Sequence, residues 1–202
     1  LPRELKEEDE IKNLSRYAAK SSLSRGRRHK QDDCPVRTMF ERDTGRIIYS
    51  MPFRRLRQKT QVFFNPRNDH ICTRMEHVIY VMYLSMTIGK ALNLNQDLIQ
   101  AISLGHDLGH APFGHAGEDS LNKILKEQGT EFSFQHELHS LRTIDLLAEH
   151  KSEPGLNLSF EVRDGIASHC GESIFEHKLV PWRDKTEAEL IPGAEKHMPP
   201  AT

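Results

Sequence analysis

A thirteen-residue stretch, from His106 to Glu118, constrains this chain more than any other part of its sequence. It contains three histidines, two carboxylates, three glycines and one proline, and it directly follows an apolar helical pattern. Burying so many ionisable groups is costly, and a packed core gains nothing from them. A further histidine, His77, lies on the preceding apolar helix, where it could complete a metal site. We therefore expect a fold that builds a metal-dependent hydrolase site around this stretch.

Length and charge narrow the class of protein. A chain of 202 residues can bury one substantial core. A formal net charge of −1 gives no overall attraction to nucleic acid or membrane. Two basic runs, at 25–30 and 54–59, are explained most simply as solvated faces, but they leave nucleic-acid binding open.

Cysteine usage and hydropathy indicate a compartment. Three widely spaced cysteines form neither a disulfide framework nor a CxxC zinc motif, which fits a reducing cytoplasm. The charged residues 1–10 lack a signal-peptide core. The longest mostly apolar stretch, 78–84, is too short to span a bilayer, which needs about 20 residues. We expect a cytoplasmic protein without a membrane anchor.

The hydrophobic pattern predicts an all-α fold with little or no sheet. Five helices are expected, at 73–92, from the Asn95 cap to Gly109, at 114–129, at 134–150 and at 159–169. The only β-compatible run is 60–64. Apolar positions of the first helix share one face; they are His77, Val81, Leu84, Ile88 and Leu92.

Three segments are predicted along the chain. Residues 1–33 form a polar N-terminal arm, residues 34–177 form the helical domain, and residues 178–202 form a proline-rich loop. This loop should lead into another element, so the chain is expected to be the N-terminal part of a longer helical enzyme.

The first candidate site consists of His77, His106 and Asp107. Adjacent helical positions point about 100° apart, so His106 and Asp107 can hold one ion only where a helix wall meets its end. Imidazole plus carboxylate suits Mn²⁺, Mg²⁺, Fe²⁺, Zn²⁺ or Ni²⁺, and spacing alone does not choose among them. A single histidine or helix-end carboxylate would be unremarkable in a structural role, but the combination indicates a metal site.

A second candidate group follows within one turn and the start of a helix. His115 and Glu118 are three residues apart and share a helical face. A carboxylate there can orient an imidazole that acts as a general acid or base. The alternative is a helix N-terminus in which Glu118 complements the helix dipole.

The order His77, then His106-Asp107, resembles the HD-domain metal phosphohydrolases. A longer ordered set resembles the bacterial deoxyguanosinetriphosphate triphosphohydrolase-like proteins and extends over about residues 14–170. Its segments are Ser24–Arg28, Phe40–Asp43, Phe53–Leu56, Lys59–Phe63, Asp69–His70, Thr73–His77, His106–Glu118 and Gly155–Leu158.

The resemblance implies an HD-domain helical bundle over 34–177 that hydrolyses a dNTP to the deoxynucleoside and inorganic triphosphate. It implies Mn²⁺ or Mg²⁺ as the metal and a homo-oligomer, a tetramer or hexamer, as the assembly. Metal ligands would be His77, His106 and Asp107. His115, supported by Glu118, would transfer the proton. Arg74, His110 and His136 would face the triphosphate, and Gln61 would lie near the sugar.

Two positions depart from the family's pattern. His136 is followed by Glu137 where the family usually has asparagine. The family's fourth metal ligand, an aspartate on a later helix, is expected beyond Thr202, since Asp145, Asp164 and Asp184 do not match its motif. Two alternatives therefore stay open: a broader HD phosphohydrolase acting on nucleoside monophosphates or cyclic nucleotides, and an inactive nucleotide-binding regulatory fragment. Neutral imidazoles in the site predict an optimum at neutral to alkaline pH.

Overall fold

The computed structural model describes residues 1–61 and 72–170, together with the backbone of 173–175 and 178–180. This part of the chain is predominantly helical, which confirms the predicted all-α class. The α-helices are α1 Pro2–Asn13, α2 Met39–Tyr49, α3 Met51–Arg55, α4 Arg74–Ala91, α5 Gln96–Gly105, α6 Gly114–Glu127, α7 His136–Arg142 and α8 Phe160–Ser168. Short 3-10 turns at Ser21–Leu23 and Leu56–Gln58 complete the N-terminal half.

Helix α5 lies at the centre of the packing. It contacts α4, α2 and α8, and α8 in turn packs on α7. Two glycines allow close approach: a Cβ at Gly89 of α4 would lie 2.1 Å from the Ile99 side chain, and one at Gly165 of α8 would lie 2.3 Å from Ile102. The surrounding core is apolar and includes Phe40, Ile47, Leu56, Val78, Ala101, Leu104, Leu141, Ile144, Leu158, Val162 and Ile166. The core thus fixes the C-terminal end of α5, which two of the three candidate metal ligands, His106 and Asp107, directly follow.

Local capping explains several predicted boundaries. Asn95 Oδ1 accepts a hydrogen bond from Leu98 N at 3.1 Å, as expected of the N-cap of α5. Thr73 and Glu76 form a capping box at the start of α4. The helices predicted at 73–92, 114–129 and 159–169 are confirmed by α4, α6 and α8. Helix α5 ends at Gly105, four residues before the predicted Gly109, and turns follow it.

The apolar face predicted for α4 is largely exposed rather than packed in the core. Leu84, Ile88 and Leu92 are 60%, 61% and 58% exposed, whereas Val78 and Gly89 are buried. Apolar side chains occur on all sides of α4 itself. Their spacing therefore fits more than one helical face and cannot identify the face that packs on α5.

The helix predicted over 134–150 is shorter than expected. After α7 the chain makes a π-helical turn, Thr143–Leu147, and then an antiparallel pair of two-residue strands, β1 Glu149–His150 and β2 Glu153–Pro154. Carbonyls that a continuing helix would use internally accept bonds from the returning chain instead. Gly155 N donates to Ala148 O and Leu156 N donates to Ile144 O, each at 2.6 Å.

Near the end of the described chain, β3 Ser173–Phe175 pairs antiparallel with β4 Lys178–Val180. The first residues of the predicted loop 178–202 are therefore a strand, and the rest of that segment lies outside the described residues. So do residues 62–64 of the β-compatible run; Thr60 forms an isolated bridge with Thr73.

The segment predicted as a polar arm contains α1 and reaches the body of the protein. Arg27 pairs with Asp43 of α2 and forms an isolated bridge with Ser159 before α8. The boundary at residue 33 stays a prediction. Among helices in the described ranges, none combines the length and hydropathy needed to cross a membrane. All three cysteines are thiols outside any disulfide.

Candidate metal centre and histidine cluster

The three predicted metal ligands come together. His77 lies one turn into α4, and His106 and Asp107 directly follow the last residue of α5. Their ligand atoms all lie within 4.8 Å of one another. His77 Nε2 is 3.8 Å and His106 Nε2 is 3.6 Å from Asp107 Oδ2. Two imidazole nitrogens thus face one carboxylate oxygen.

His106 is oriented as a ligand by the backbone. Its Nδ1 lies 2.8 Å from the carbonyl oxygen of Ser103, so Nδ1–H donates there and Nε2 keeps a lone pair facing Asp107. Burial lowers the pKa of His106 despite the opposing charge of Asp107, which keeps the ring neutral at neutral pH. A histidine whose second nitrogen donates to a carbonyl is the usual arrangement in protein metal sites. The residues present therefore fit a divalent cation.

Arg74 lies on the carboxylate rather than in open space. Its Nη1 donates to Asp107 Oδ2 in a buried ion pair. Burial alone would raise the pKa of Asp107, but His106 and the Arg74 guanidinium outweigh it and hold that pKa below its ordinary value. Arg74 Nε has no partner among the described residues, so the guanidinium retains an unused donor. Contact between Arg74 and a triphosphate stays a prediction.

A second group, the histidine cluster, comprises His110, His115, Glu118 and His136. Their ligand atoms also lie within 4.8 Å of one another. The rings of His110 and His136 stack with centroids 4.5 Å apart. Burial and the nearby charge of Arg74 lower the pKa of His110 to about 4. Its buried Nε2 lacks a partner in the described part of the chain. The structure therefore gathers four predicted site residues into one cluster.

Glu118 serves two histidines. It accepts from the backbone N–H of His136 and lies beside His136 Nδ1, both at 3.0 Å, and it is 3.4 Å from His115 Nδ1. Burial alone would raise the pKa of Glu118, but the His136 ring and its N–H outweigh this and lower it. The His115 side chain is 77% exposed and so is accessible to a ligand, while His136 is buried.

The turn before α6 takes a left-handed path. Phe113 has φ 67° and Gly114 has φ 65°, a conformation costly for a phenylalanine and common at functional sites. A Cβ at Gly117 would lie 1.8 Å from Pro112 O, so the helix start tolerates no side chain there. Gln61 approaches this turn through its backbone carbonyl oxygen, which lies 3.3 Å from the position of a Cβ on Gly114. The buried side-chain Oε1 of Gln61 has no hydrogen-bond partner among the residues described.

Residues of α7 hold the loop between Asp107 and α6. A Cβ at Gly109 would lie 2.2 Å from Ser140 N, so only glycine permits this contact. Ser140 Oγ donates to His106 O at 2.8 Å and accepts from Gly109 N at 2.9 Å. His139 Nδ1 lies 2.6 Å from Gly109 O. These side chains fix the metal-ligand backbone, and nothing in the local sequence indicates that role.

Sequence reasoning also missed Lys59 and His169 as parts of the site. Lys59 Nζ donates to His110 O at 2.7 Å. The His169 ring lies between the two groups, with centroids 5.1 Å from His106 and 5.3 Å from His136. Lys59 belongs to the Lys59–Phe63 segment of the family resemblance, which could have indicated its place in the site. His169 is brought there only by the packing of α8.

The geometry divides the work between two adjacent groups. One offers a carboxylate and two imidazoles to a cation. The other offers stacked imidazoles, of which His110 is kept neutral by its lowered pKa, beside an ionised glutamate. This arrangement suits proton transfer and hydrogen bonding to anionic oxygens.

Comparison with known proteins identifies the family of the region that contains both groups. Residues 74–195 match the family model described as HD domain. The chain is 52% identical over 186 residues to a protein of Caldanaerobacter subterraneus subsp. tengcongensis, which covers 91% of this chain and 53% of the relative. It is 52% identical over 158 residues to a protein of Thiobacillus denitrificans, covering 78% and 41%, and 48% identical over 167 residues to one of Desulfatibacillum aliphaticivorans, covering 83% and 46%.

Each of these three relatives is named deoxyguanosinetriphosphate triphosphohydrolase-like protein. The chain spans about half the length of these curated relatives. The matched region contains His77, His106 and Asp107, the residues that the fold brings together as a candidate metal centre. This chain belongs to the HD domain family.

Proposed function

We propose that this protein is a metal-dependent phosphohydrolase that converts a dNTP to the deoxynucleoside and inorganic triphosphate. One observation carries the proposal: the His169 ring connects the His77–His106–Asp107 group with the histidine cluster, its centroid lying 5.1 Å from that of His106 and 5.3 Å from that of His136. A cation-binding group next to neutral imidazoles and a carboxylate is the equipment that phosphate ester hydrolysis needs. The names of the relatives support this substrate class.

His77, His106 and Asp107 would hold the cation, with Mn²⁺ or Mg²⁺ favoured by the resemblance. A divalent cation bound there supplies Lewis acidity that activates water and orients phosphate oxygens. The protein's own part is to keep His106 neutral and Asp107 ionised, as their lowered pKa values do.

In the proposed reaction, water attacks the α-phosphorus and the bond from that phosphorus to the 5′ oxygen breaks. The departing 5′ oxygen takes a proton, which His115 gives. Glu118 Oε2 lies 3.4 Å from His115 Nδ1, close enough to orient the ring for this transfer. The exposed position of His115 leaves it open to substrate.

Phosphate oxygens would be bound by side chains whose buried polar atoms have no hydrogen-bond partner among the described residues. Arg74 Nε and His110 Nε2 are buried without partners in the described residues. A guanidinium matches the geometry of phosphate oxygens. His136 would face the same side, and Gln61, near the start of α6, would contact the sugar.

A product-resolved assay tests the proposal. All four dNTPs and GTP are incubated with Mn²⁺ or Mg²⁺, and the products are separated by anion exchange. The 202-residue chain and a form extended to the relatives' length are compared. We expect inorganic triphosphate from dNTPs and none from GTP, activity lost in His77→Ala, and activity kept in His29→Ala, a distant exposed histidine.

Other products would overturn the proposal. Release of monophosphate or free phosphate would assign the protein to the broader phosphohydrolases. Turnover by neither form would favour the regulatory fragment. Assembly as a homo-oligomer and a cytoplasmic location stay predictions of the resemblance.

A further inference from the structure

A third group of ligand atoms lies at the C-terminal end of α8. His136, His169 and Cys170 place their ligand atoms within 4.8 Å of one another. Cys170 Sγ is 3.4 Å from His136 Nε2. Tetrahedral zinc sites have Zn–N distances of about 2.0 Å and Zn–S distances of about 2.3 Å, which put neighbouring N and S ligands about 3.5 Å apart. The observed separation therefore already suits a shared cation.

Both imidazoles are fixed in the orientation that a metal ligand needs. His136 Nδ1 lies 3.0 Å from Glu118 Oε2, and His169 Nδ1 lies 2.7 Å from Ile166 O. Because each Nδ1–H has an acceptor, each ring keeps its Nε2 lone pair. Carboxylate and carbonyl acceptors behind ligating histidines are typical of metal sites. His106 is held in the same way by Ser103 O.

The ligand set differs chemically from the first metal centre. The group of His77, His106 and Asp107 includes a carboxylate oxygen, whereas this one offers two imidazoles and a thiol and shares none of those ligands. Thiolate and imidazole select zinc, while Mg²⁺ and Mn²⁺ prefer oxygen ligands. Burial raises the pKa of the Cys170 thiol, but a coordinated cation deprotonates a thiol outright.

We propose that His136, His169 and Cys170 form a second metal site that binds Zn²⁺ through two nitrogens and one sulfur. The fourth position of the tetrahedron is left to water or to an oxygen of a bound anion. The site adjoins the first metal centre, since the His169 and His106 ring centroids are 5.1 Å apart. The site shares His136 with the histidine cluster, but its metal binding can be measured without the hydrolytic reaction.

Cobalt substitution tests the site on the full chain without an activity measurement. Co²⁺ is titrated under a non-thiol reductant, and the sulfur-to-cobalt charge-transfer absorption in the near ultraviolet is recorded. We expect the band in the wild type and its displacement by Zn²⁺. His169→Ala removes a ligand, so the Co²⁺ affinity should fall by more than the roughly 10–100-fold that is typical of losing an outer-shell partner. Cys170→Ser should abolish the band, and Cys34→Ser, which alters a thiol far along the chain, should keep it.

His77→Ala separates this site from the first one. The band should persist in that variant, because His77 belongs only to the carboxylate-containing group. No band in the wild type, or a band unchanged in Cys170→Ser, would overturn the proposal. Loss of the band in His77→Ala would also overturn it, because Cys170 would then be serving the first metal centre.

Discussion

Two buried polar clusters of this protein differ in how completely the chain satisfies them. In the arginine cluster, Arg27 pairs with Asp43 and also donates to Asn157 O at 2.6 Å. Arg46 donates to the same carbonyl oxygen at 2.7 Å, and Asp43 Oδ2 accepts from Ser159 N at 2.8 Å. Each charged group there has a partner supplied by the chain itself.

In the candidate metal centre and the histidine cluster, by comparison, several buried polar atoms have no hydrogen-bond partner in the part of the chain that the structure describes. Arg74 Nε, His110 Nε2 and Gln61 Oε1 are buried and lack partners within the described residues. Unpartnered polar atoms also occur elsewhere among the described residues, for example at the hydroxyls of Thr44 and Ser159 beside the arginine cluster and at Arg3 Nε. Those of Arg74, His110 and Gln61 differ because they lie together around the candidate metal centre, where a bound ligand would pair with them. We therefore interpret the arginine cluster as a structural element and propose that the histidine cluster is arranged to receive a ligand.

The largest effect is expected from Asp43→Ala. Removing the carboxylate leaves Arg27, whose side chain is 4% exposed, as a buried unpaired charge. We expect the free energy of unfolding to fall by about 3–5 kcal/mol in urea denaturation. Asp119→Ala, at an exposed carboxylate of α6, is the control and should change it by less than about 0.5 kcal/mol. A fall of less than about 1 kcal/mol in the free energy of unfolding of Asp43→Ala would contradict a stabilising role of the arginine cluster.

Glu118→Gln should affect activity rather than stability. The amide keeps the size of the carboxylate but loses the charge that orients and supports His115 and His136. We expect kcat in the triphosphate-release assay to fall about 100-fold, with a change in unfolding free energy below about 1 kcal/mol. Asp119→Asn is the matched control. A kcat within about threefold of the wild type would remove Glu118 from the proton-transfer group.

Ser140→Ala tests how α7 holds the loop. Alanine leaves His106 O and Gly109 N buried without their bonds at 2.8 and 2.9 Å. We expect a loss of about 2 kcal/mol in unfolding free energy. Ser120→Ala, at an exposed hydroxyl of α6, should cost less than about 0.5 kcal/mol. Equal effects of the two substitutions would show that the loop does not depend on Ser140.

Acid should destabilise the histidine cluster. Burial and the Arg74 charge lower the pKa of His110 to about 4, whereas an unfolded histidine titrates near about 6.5. The unfolded chain therefore binds this proton first, so the contribution is fully present above about pH 6.5 and is lost as the pH falls toward about 4. After allowance for solvent screening we expect about 1 kcal/mol from this group.

Urea denaturation at pH 7 and pH 5 measures the effect, and His110→Gln isolates it. The variant should lose less stability than the wild type over this interval, because glutamine does not titrate. Identical losses in the two proteins would contradict neutral burial of His110.

Much of the fold follows from local signals in the sequence. The Asn95 cap and the Thr73–Glu76 capping box act within one turn, so the starts of α5 and α4 can be predicted from neighbouring residues. The buried face of α4 cannot be predicted in this way, because the helix carries apolar side chains on all sides. The π-helical turn after α7 depends on the returning chain, where Leu156 N reaches Ile144 O, a contact between distant residues.

The candidate site divides in the same way. His106 and Asp107 are adjacent at a helix end and His77 lies on the preceding apolar helix, so the candidate metal centre could be predicted from the sequence. Ser140 and His169 act through helix packing, which brings α7 and α8 against the end of α5. Their roles appear only once the fold is known.

Whether His77, His106 and Asp107 hold a metal is best measured by a Mn²⁺ titration followed by the electron paramagnetic resonance signal of free Mn²⁺. We expect one Mn²⁺ bound per wild-type chain and an affinity at least about 100-fold lower in His77→Ala, with His29→Ala unchanged. Equal Mn²⁺ binding by the wild type and His77→Ala would show that the group of His77, His106 and Asp107 is not the metal centre.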